Sequence, residues 1–375
     1  MKRGQPGNSL ENGQQINGNR LPLPPAADGN RALIPRGSES EAAPDPAQTP
    51  FATLTPDRVL TAIETAGFPC DGRLLALNSY ENRVYRVGLE DGNSLIAKFY
   101  RSGRWSDAAI AEEHAYAHEL FAAEIPVVAP LRRTAESSLW IDQEVRFALF
   151  PNRPGRTPEL EDPEVLEWIG RFIGRIHGRG AANRFKVRPT LTIERFGREP
   201  TAYLRDHGFI PSELRPAYDS VVDELLTQIE AIFDAVGPVR QVRLHGDCHP
   251  GNILWTPAGP HFVDLDDCMM GPAVQDLWML LAAGEHLEMS RLLAHLLKGY
   301  TLFQPFEPAE LGLIEALRSL RILHYAAWLA RRWQDPAFPL HFPWFNTQRY
   351  WQDQILALRE QLSAMTEPPL TYVAD

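Results

Sequence analysis

Short runs in which apolar and polar positions alternate dominate residues 51–150, and helical spacing dominates the rest of the chain. Thr55-Pro56-Asp57 predicts a helix start, with Thr as cap and Pro at the first position. Val59, Leu60 and Ile63 give that helix one apolar face, and Gly67 ends it. Strands are expected at about residues 73–77, 84–89 and 95–99, the last two joined by the turn signal Glu90-Asp91-Gly92-Asn93. Residues 107–122 have helical spacing. Residues 125–130 should return the chain to the sheet, and Trp140-Ile141 with residues 146–150 complete it. The run Pro151-Asn152-Arg153-Pro154-Gly155-Arg156 reads as a hinge.

Beyond the hinge the pattern is mostly helical. Residues 164–179 place Gly170, Gly174 and Gly178 on one face, a spacing that lets another helix approach closely. His177 in this stretch reads as a packed, hydrogen-bonded histidine. A second helix is expected over 273–283. Residues 313–332 carry Leu313, Leu317, Leu320, Leu323, Ala327 and Trp328 as a core stripe. The polar side of that helix, with Arg318, Arg321, Arg331 and Arg332, reads as a solvated face. A basic patch for acidic or phosphorylated protein is the alternative. The expected fold class is therefore α+β and bilobal. A small N-lobe over 51–150 holds an antiparallel sheet plus a helix, and a larger, mainly helical C-lobe spans 151–375. Residues 1–50 hold no Phe, Trp or Tyr and eight prolines, so they read as a Pro/Gly-rich disordered extension.

The chemistry concentrates in Leu244-His245-Gly246-Asp247-Cys248-His249-Pro250-Gly251-Asn252-Ile253-Leu254-Trp255, followed by Phe262-Val263-Asp264-Leu265-Asp266-Asp267. Asn252 follows Asp247 by five residues, and Asp264 follows twelve further on. Phosphoryl transfer needs such groups, because it depends on positioning and charge neutralisation more than on covalent work. Asp247 is expected to receive the acceptor hydroxyl's proton. Asn252 and Asp264 offer a neutral and a charged oxygen to Mg²⁺. Gly246 and Pro250-Gly251 rule out a continuous helix, so this is a shaped loop followed by a hairpin. The same breakers argue against zinc at His245, Cys248 and His249, since ligands four apart share a face only on a helix.

An Asp-x-x-x-x-Asn spacing alone arises by chance in many proteins. Its weight comes from what lies upstream. Ser94-Leu95-Ile96-Ala97-Lys98 ends a strand on a lysine suited to neutralise the α/β-phosphates of ATP. The partner of Lys98 should be a glutamate on the following helix, where Glu113 lies beside the core stripe and Glu112 competes. There is no Gly-x-Gly-x-x-Gly loop and no Walker sequence. Adenine is expected near Phe147–Phe150 from lobe geometry.

This set resembles the aminoglycoside phosphotransferase and choline kinase-like superfamily, whose catalytic loop reads His-Gly-Asp-x-x-x-x-Asn. Asn78-Ser79-Tyr80-Glu81-Asn82, residues 271–281 and residues 327–339 further resemble the stress response kinase A family of bacterial protein kinases. The resemblance covers roughly residues 52–370. It implies a protein-kinase-like fold, ATP and Mg²⁺, Ser/Thr hydroxyls of protein substrates as acceptors, a stress response, and a cytoplasmic monomer. It also implies that Ser79 contacts ATP and that Asp276 accepts hydrogen bonds from the catalytic-loop backbone. His249 stands near where many protein kinases carry a lysine; it either takes that part or orders the loop. Asp266 and Asp267 either assist the metal or acceptor or cap the next turn. A small-molecule hydroxyl kinase of the aminoglycoside, choline or homoserine type remains the alternative. A non-catalytic nucleotide-binding scaffold is opposed by the intact Lys98, Asp247, Asn252 and Asp264.

Charge and cysteine content change the picture little. With 37 basic and 48 acidic residues the net charge is −11, which disfavours nucleic acid or an anionic membrane as main partner. Cys70, Cys248 and Cys268 are too few and too irregular for a disulfide framework, so reducing cytosol is the default.

Overall fold

Thr55 accepts a hydrogen bond from the backbone N–H of Arg58 and so starts α1 (Pro56–Thr65) as the sequence predicts. The computed structural model describes residues 50–281 and 286–372. The extension expected at residues 1–50 therefore lies outside the described residues, Pro50 apart. Five strands follow α1 in one antiparallel sheet: β1 (Cys70–Ala76), β2 (Arg83–Leu89), β3 (Ser94–Phe99), β4 (Trp140–Asp142) and β5 (Val145–Pro151). Their order is β1-β2-β3-β5-β4, with α2 (Asp107–Ala122) inserted between β3 and β4. Ser106 caps α2 by accepting from Ala109 N at 3.2 Å.

Period-two alternation sorts β3 onto two faces. Leu95, Ala97 and Phe99 join Val59, Ile63, Phe147 and Leu149 in a core closed by α1. Lys98 alternates to the other face, paired in register with Val84 on β2 and Ala148 on β5. That is the side where α2 lies.

Residues 125–130, expected to return the chain to the sheet, do not themselves join it. Val127 makes a single parallel bridge to Phe262, and Phe262 N donates to Pro126 O at 2.7 Å. Pro126 and Pro130 have no N–H, so a ladder here would be broken at both ends. The segment instead ties the sheet to a hairpin of the large lobe, and Leu131 N returns to Leu149 O at 2.6 Å.

The large lobe contains α3 (Pro163–Gly180), α4 (Glu199–Asp206), α5 (Arg215–Val236), β6 (Val242–Leu244), β7 (Ile253–Thr256), β8 (Gly259–Phe262) and β9 (Met269–Gly271). After these come α6 (Val274–Trp278), α7 (His286–Tyr300), α8 (Ile314–Arg331), α9 (Ala337–His341) and α10 (Gln348–Ala364). The glycine face of α3 seats α7. A Cβ on Gly170 would overlap Leu296 O, and one on Gly174 would fall 2.5 Å from Tyr300 O. Gly299 of α7 returns the relationship, with no room for a Cβ against Glu167 O. The helix expected over 273–283 is shorter, ending at Trp278, and Ala283 lies outside the described residues. Among the described residues no helix is long and apolar enough to cross a membrane.

Candidate active site

The loop between β6 and β7 is shaped by backbone bonds before any side chain acts. Gly246 adopts φ 88°, and a Cβ there would collide with Asp267 O, so only glycine fits. Asp276, from α6, accepts from His245 N at 2.7 Å and from Gly246 N at 2.9 Å. His177 of α3 is fully buried between Asp276, 3.0 Å away, and the Tyr300 hydroxyl, 3.1 Å away. His245 donates through Nε2 to Val263 O at 2.9 Å, which leaves Nδ1 as the acceptor facing Asp247 N. The buried tie of Asp276 to the loop matches the arrangement implied by the resemblance.

The loop presents Asp247 half-buried. Asn252 donates from Nδ2 to Asp247 O at 3.0 Å, and no donor among the described residues reaches its amide oxygen. The β7–β8 hairpin then brings the chain back, with Val263 N bonded to Asn252 O at 3.0 Å. Asp264 follows with φ 61° and ψ 64°, a left-handed conformation unusual for a residue with a side chain. Its carboxylate is 52% exposed and reaches Lys98 Nζ at 2.7 Å. Asp247, Asn252, Asp264 and Lys98 therefore meet at one end of the cleft.

Lys98 is otherwise enclosed by acids. Asp266 lies 3.1 Å from its Nζ and Glu113 3.9 Å. Burial works against the ammonium, but Asp264, Asp266 and Glu113 outweigh it and hold the amine well above its ordinary value. Burial pushes the Glu113 carboxyl up to about 7 against the pull of Lys98. Glu112 is elsewhere: its carboxylate accepts from the backbone N–H groups of Lys186, Val187 and Arg188 at 2.6–2.9 Å. Asp266 is buried among Lys98, Arg104 and the Asn82 amide, and Asp267 pairs with Arg104 at 2.5 Å. Both acids thus brace the site wall.

Ser79 lies in the turn between β1 and β2, where its hydroxyl donates to Asn82 O at 3.1 Å. Neighbouring residues tie that turn to the large lobe. Glu81 accepts from Trp328 Nε1 at 2.6 Å and pairs with Arg332 at 2.5 Å and Arg101 at 3.2 Å. The Tyr80 ring packs edge-on to Phe342, with centroids 4.8 Å apart. Phe147 is buried between Phe99 and Trp140, leaving only Phe150 of residues 147–150 half-exposed on the way to the hinge.

The structure corrects the reading of α8. Of its arginines only Arg331 is exposed, so they do not together form a solvated face. Arg321 donates to Asp247 Oδ1 at 2.7 Å, Arg332 grips Glu81, and Arg318 and Arg331 lie over the rings of Trp278 and Tyr203. Buried on its apolar side, the helix directs Arg321 and, at its end, Arg332 toward the cleft. Burial raises the Asp247 carboxyl, yet Arg321 and then His249, whose Nε2 is 3.4 Å away, hold it well below the usual carboxylate range. His249 also orders the loop, accepting from Gly251 N at 3.0 Å.

This geometry has a match among known proteins. The phosphotransferase enzyme family aligns with residues 73–314, which include the lysine strand, the loop and Asp264. This chain belongs to the phosphotransferase enzyme family. Its relatives include stress response kinase A of Escherichia coli strain K12, 44% identical over 320 residues, covering 85% of this chain and 96% of that protein. The serine/threonine protein kinase RdoA of Salmonella typhimurium strain LT2 is 42% identical over the same shares. Among solved structures this phosphotransferase shares its fold with an amicoumacin kinase in complex with AMP-PNP, Ca²⁺ and Ami. The TM-score is 0.64 at 20% identity, over 85% of this chain and 96% of that one. A microcompartment-associated aminopropanol kinase gives 0.60 at 18%, over 84% and 99%.

Sequence reasoning missed Arg321 and the grip of Trp328 and Arg332 on Glu81. Arg321 and Arg332 were visible on the polar side and Trp328 in the core stripe, but nothing local tied them to residues 74 and 247 positions away.

Proposed function

We propose that this phosphotransferase is a protein serine/threonine kinase that uses Mg-ATP, acting as a cytoplasmic monomer in a bacterial stress response. The observation that carries this reading is its likeness to stress response kinase A and RdoA over 96% of their length. The site's donor set fits the metal. Asn252 has a free amide oxygen and Asp264 an exposed carboxylate, and no cluster of three acidic, His or Cys ligands occurs among the described residues. Magnesium suits such a sparse protein shell because it keeps water and phosphate oxygens as its other ligands. Bound there, it would neutralise charge on the β- and γ-phosphates.

The chain's own groups do the rest. Lys98 is kept charged by its acidic neighbours and is the group that would pair with phosphate oxygens, while Asp264 would be a carboxylate ligand of the metal. Glu113 then holds the ammonium in place. Ser79 and the turn around it cover the nucleotide. Asp247 orients the acceptor hydroxyl and takes its proton as the phosphoryl group leaves ATP. Asn252, by bonding the Asp247 carbonyl, fixes its own amide oxygen relative to the base and would present it to the metal.

The test is phosphate transfer from radiolabelled Mg-ATP, read by label and intact mass, for wild type and Asp247→Ala with a general protein acceptor. Label on Ser or Thr that disappears in the variant, with ATP binding retained, is the expected result. ATP turnover that labels metabolites and no protein would replace this reading with a small-molecule hydroxyl kinase.

A further inference from the structure

We infer that Arg321 is an acceptor-binding residue that selects hydroxyls carried beside an oxyanion, either a carboxylate or a phosphoryl group on the acceptor chain. The inference rests on the reading of Asp247 as the group that meets the acceptor hydroxyl. Arg321 touches that carboxylate at 2.7 Å, so whatever brings its hydroxyl to Asp247 must also meet the guanidinium. The side chain is 31% exposed. Only Nη1 is engaged, by Asp247 and, at 4.0 Å, by Met279 Sδ. Among the described residues Nε and Nη2 have no acceptor, which leaves one edge of the planar fork for a second oxyanion.

The surroundings favour the same sign. Arg318, one turn earlier on α8, has Nε and Nη2 buried without a hydrogen-bond partner, its nearest acid being Glu315 at 3.7 Å. His249 flanks Asp247 on another side at 3.4 Å. The acids nearby are already opposed by cations: Asp247 by Arg321, Asp267 by Arg104 and Glu315 by Arg318. An ammonium-bearing acceptor would find no unpaired carboxylate among them, and its charge would lie against Arg321. An anionic acceptor meets the open edge of the Arg321 guanidinium, with the buried Arg318 charge behind it. These pairs balance one another, so the selection rests on the open donors of Arg321 and not on net local charge.

Reach sets the spacing. Successive Cα atoms are about 3.8 Å apart, so an oxyanion on the open edge of Arg321 belongs one or two residues from the acceptor serine.

Three fluorescein-labelled serine peptides test this, with Glu, phosphoserine or Gln flanking the acceptor, titrated in Mg-ADP against wild type, Arg321→Gln and Arg321→Lys. Wild type should bind an anionic peptide about tenfold more tightly than the Gln peptide, the range for a charge-assisted hydrogen bond. Arg321→Gln should bring that ratio to about one, and Arg321→Lys, which keeps charge without the fork, should fall between. Comparing the Glu and phosphoserine peptides identifies the oxyanion. No preference in wild type, or a preference that survives in Arg321→Gln, overturns the inference. Phosphate transfer to the same peptides judges the protein-acceptor reading separately. Preference without transfer would uphold the role of Arg321 and point to a small hydroxy acid as acceptor.

Discussion

Trp328 donates its indole N–H to Glu81 across the cleft, at 2.6 Å. One residue stands on the large lobe's α8 and the other on the turn that follows β1, so this bond joins the helix facing Asp247 to the loop expected to cover the nucleotide. Arg332 and Arg101 complete the grip on the same carboxylate.

Glu81→Ala should therefore loosen the turn that holds Ser79. The KM for ATP should rise roughly five- to thirtyfold, as the loss of charge-assisted hydrogen bonds worth about 1–2 kcal/mol would give. A steady-state ATP titration checks it, and an unchanged KM would mean that the turn is held by Tyr80 and Asn82 alone.

Asp276 satisfies two buried loop N–H groups and one face of His177. Asp276→Ala leaves those donors without partners and should cost roughly 3–5 kcal/mol of stability. Asp276→Asn keeps one acceptor oxygen and should lose less. Urea unfolding of both variants ranks them, and equal stabilities would remove Asp276 as the loop's anchor.

The α3–α7 seam separates two outwardly identical substitutions. Gly174→Ala forces a methyl against the Tyr300 carbonyl and should destabilise by roughly 2–3 kcal/mol. Gly178→Ala meets nothing nearer than 3.4 Å and should gain about 0.5–1 kcal/mol from helix propensity. Thermal melts of the two variants should move in opposite directions.

Glu310 adds a pH dependence away from the site. Burial pushes its carboxyl from 4.5 to about 7, although its Oε2 accepts from Val274 N at 2.9 Å. A folded value above the unfolded one means that the native state binds the extra proton. The stabilisation is thus full below about 4.5 and disappears as pH rises through about 7. Between pH 4.5 and 8 this group should remove roughly 2–3 kcal/mol. Glu310→Gln, measured by urea unfolding at both ends, should flatten that part of the profile.

Much of the small lobe was legible because its signals are local. Alternation places Lys98 opposite Ala97 and Phe99, and Thr55 and the Gly92 turn punctuate the elements where expected. Residues 125–130 show the limit of such reasoning. A short apolar run with prolines specifies an extended backbone but not its partner, which proved to be Phe262 of the other lobe. The choice between Glu112 and Glu113 was equally out of reach, because it depends on backbone N–H groups at 186–188 that draw Glu112 away. The loop residues Asp247 and Asn252 were readable as a spacing. Arg321 was not, since an ion pair spanning 74 positions has no spacing to read.

The left-handed backbone at Asp264 restricts what the position can become. Most side chains lose about 1–2 kcal/mol there, whereas Gly, Asn and Asp adopt it readily. Of those three only Asp brings a negative charge. Two unrelated filters, one steric and one electrostatic, thus leave a single residue, and the codon at 264 has almost nowhere to drift. A chain of this architecture with anything else at that place has changed its backbone path, its chemistry, or both.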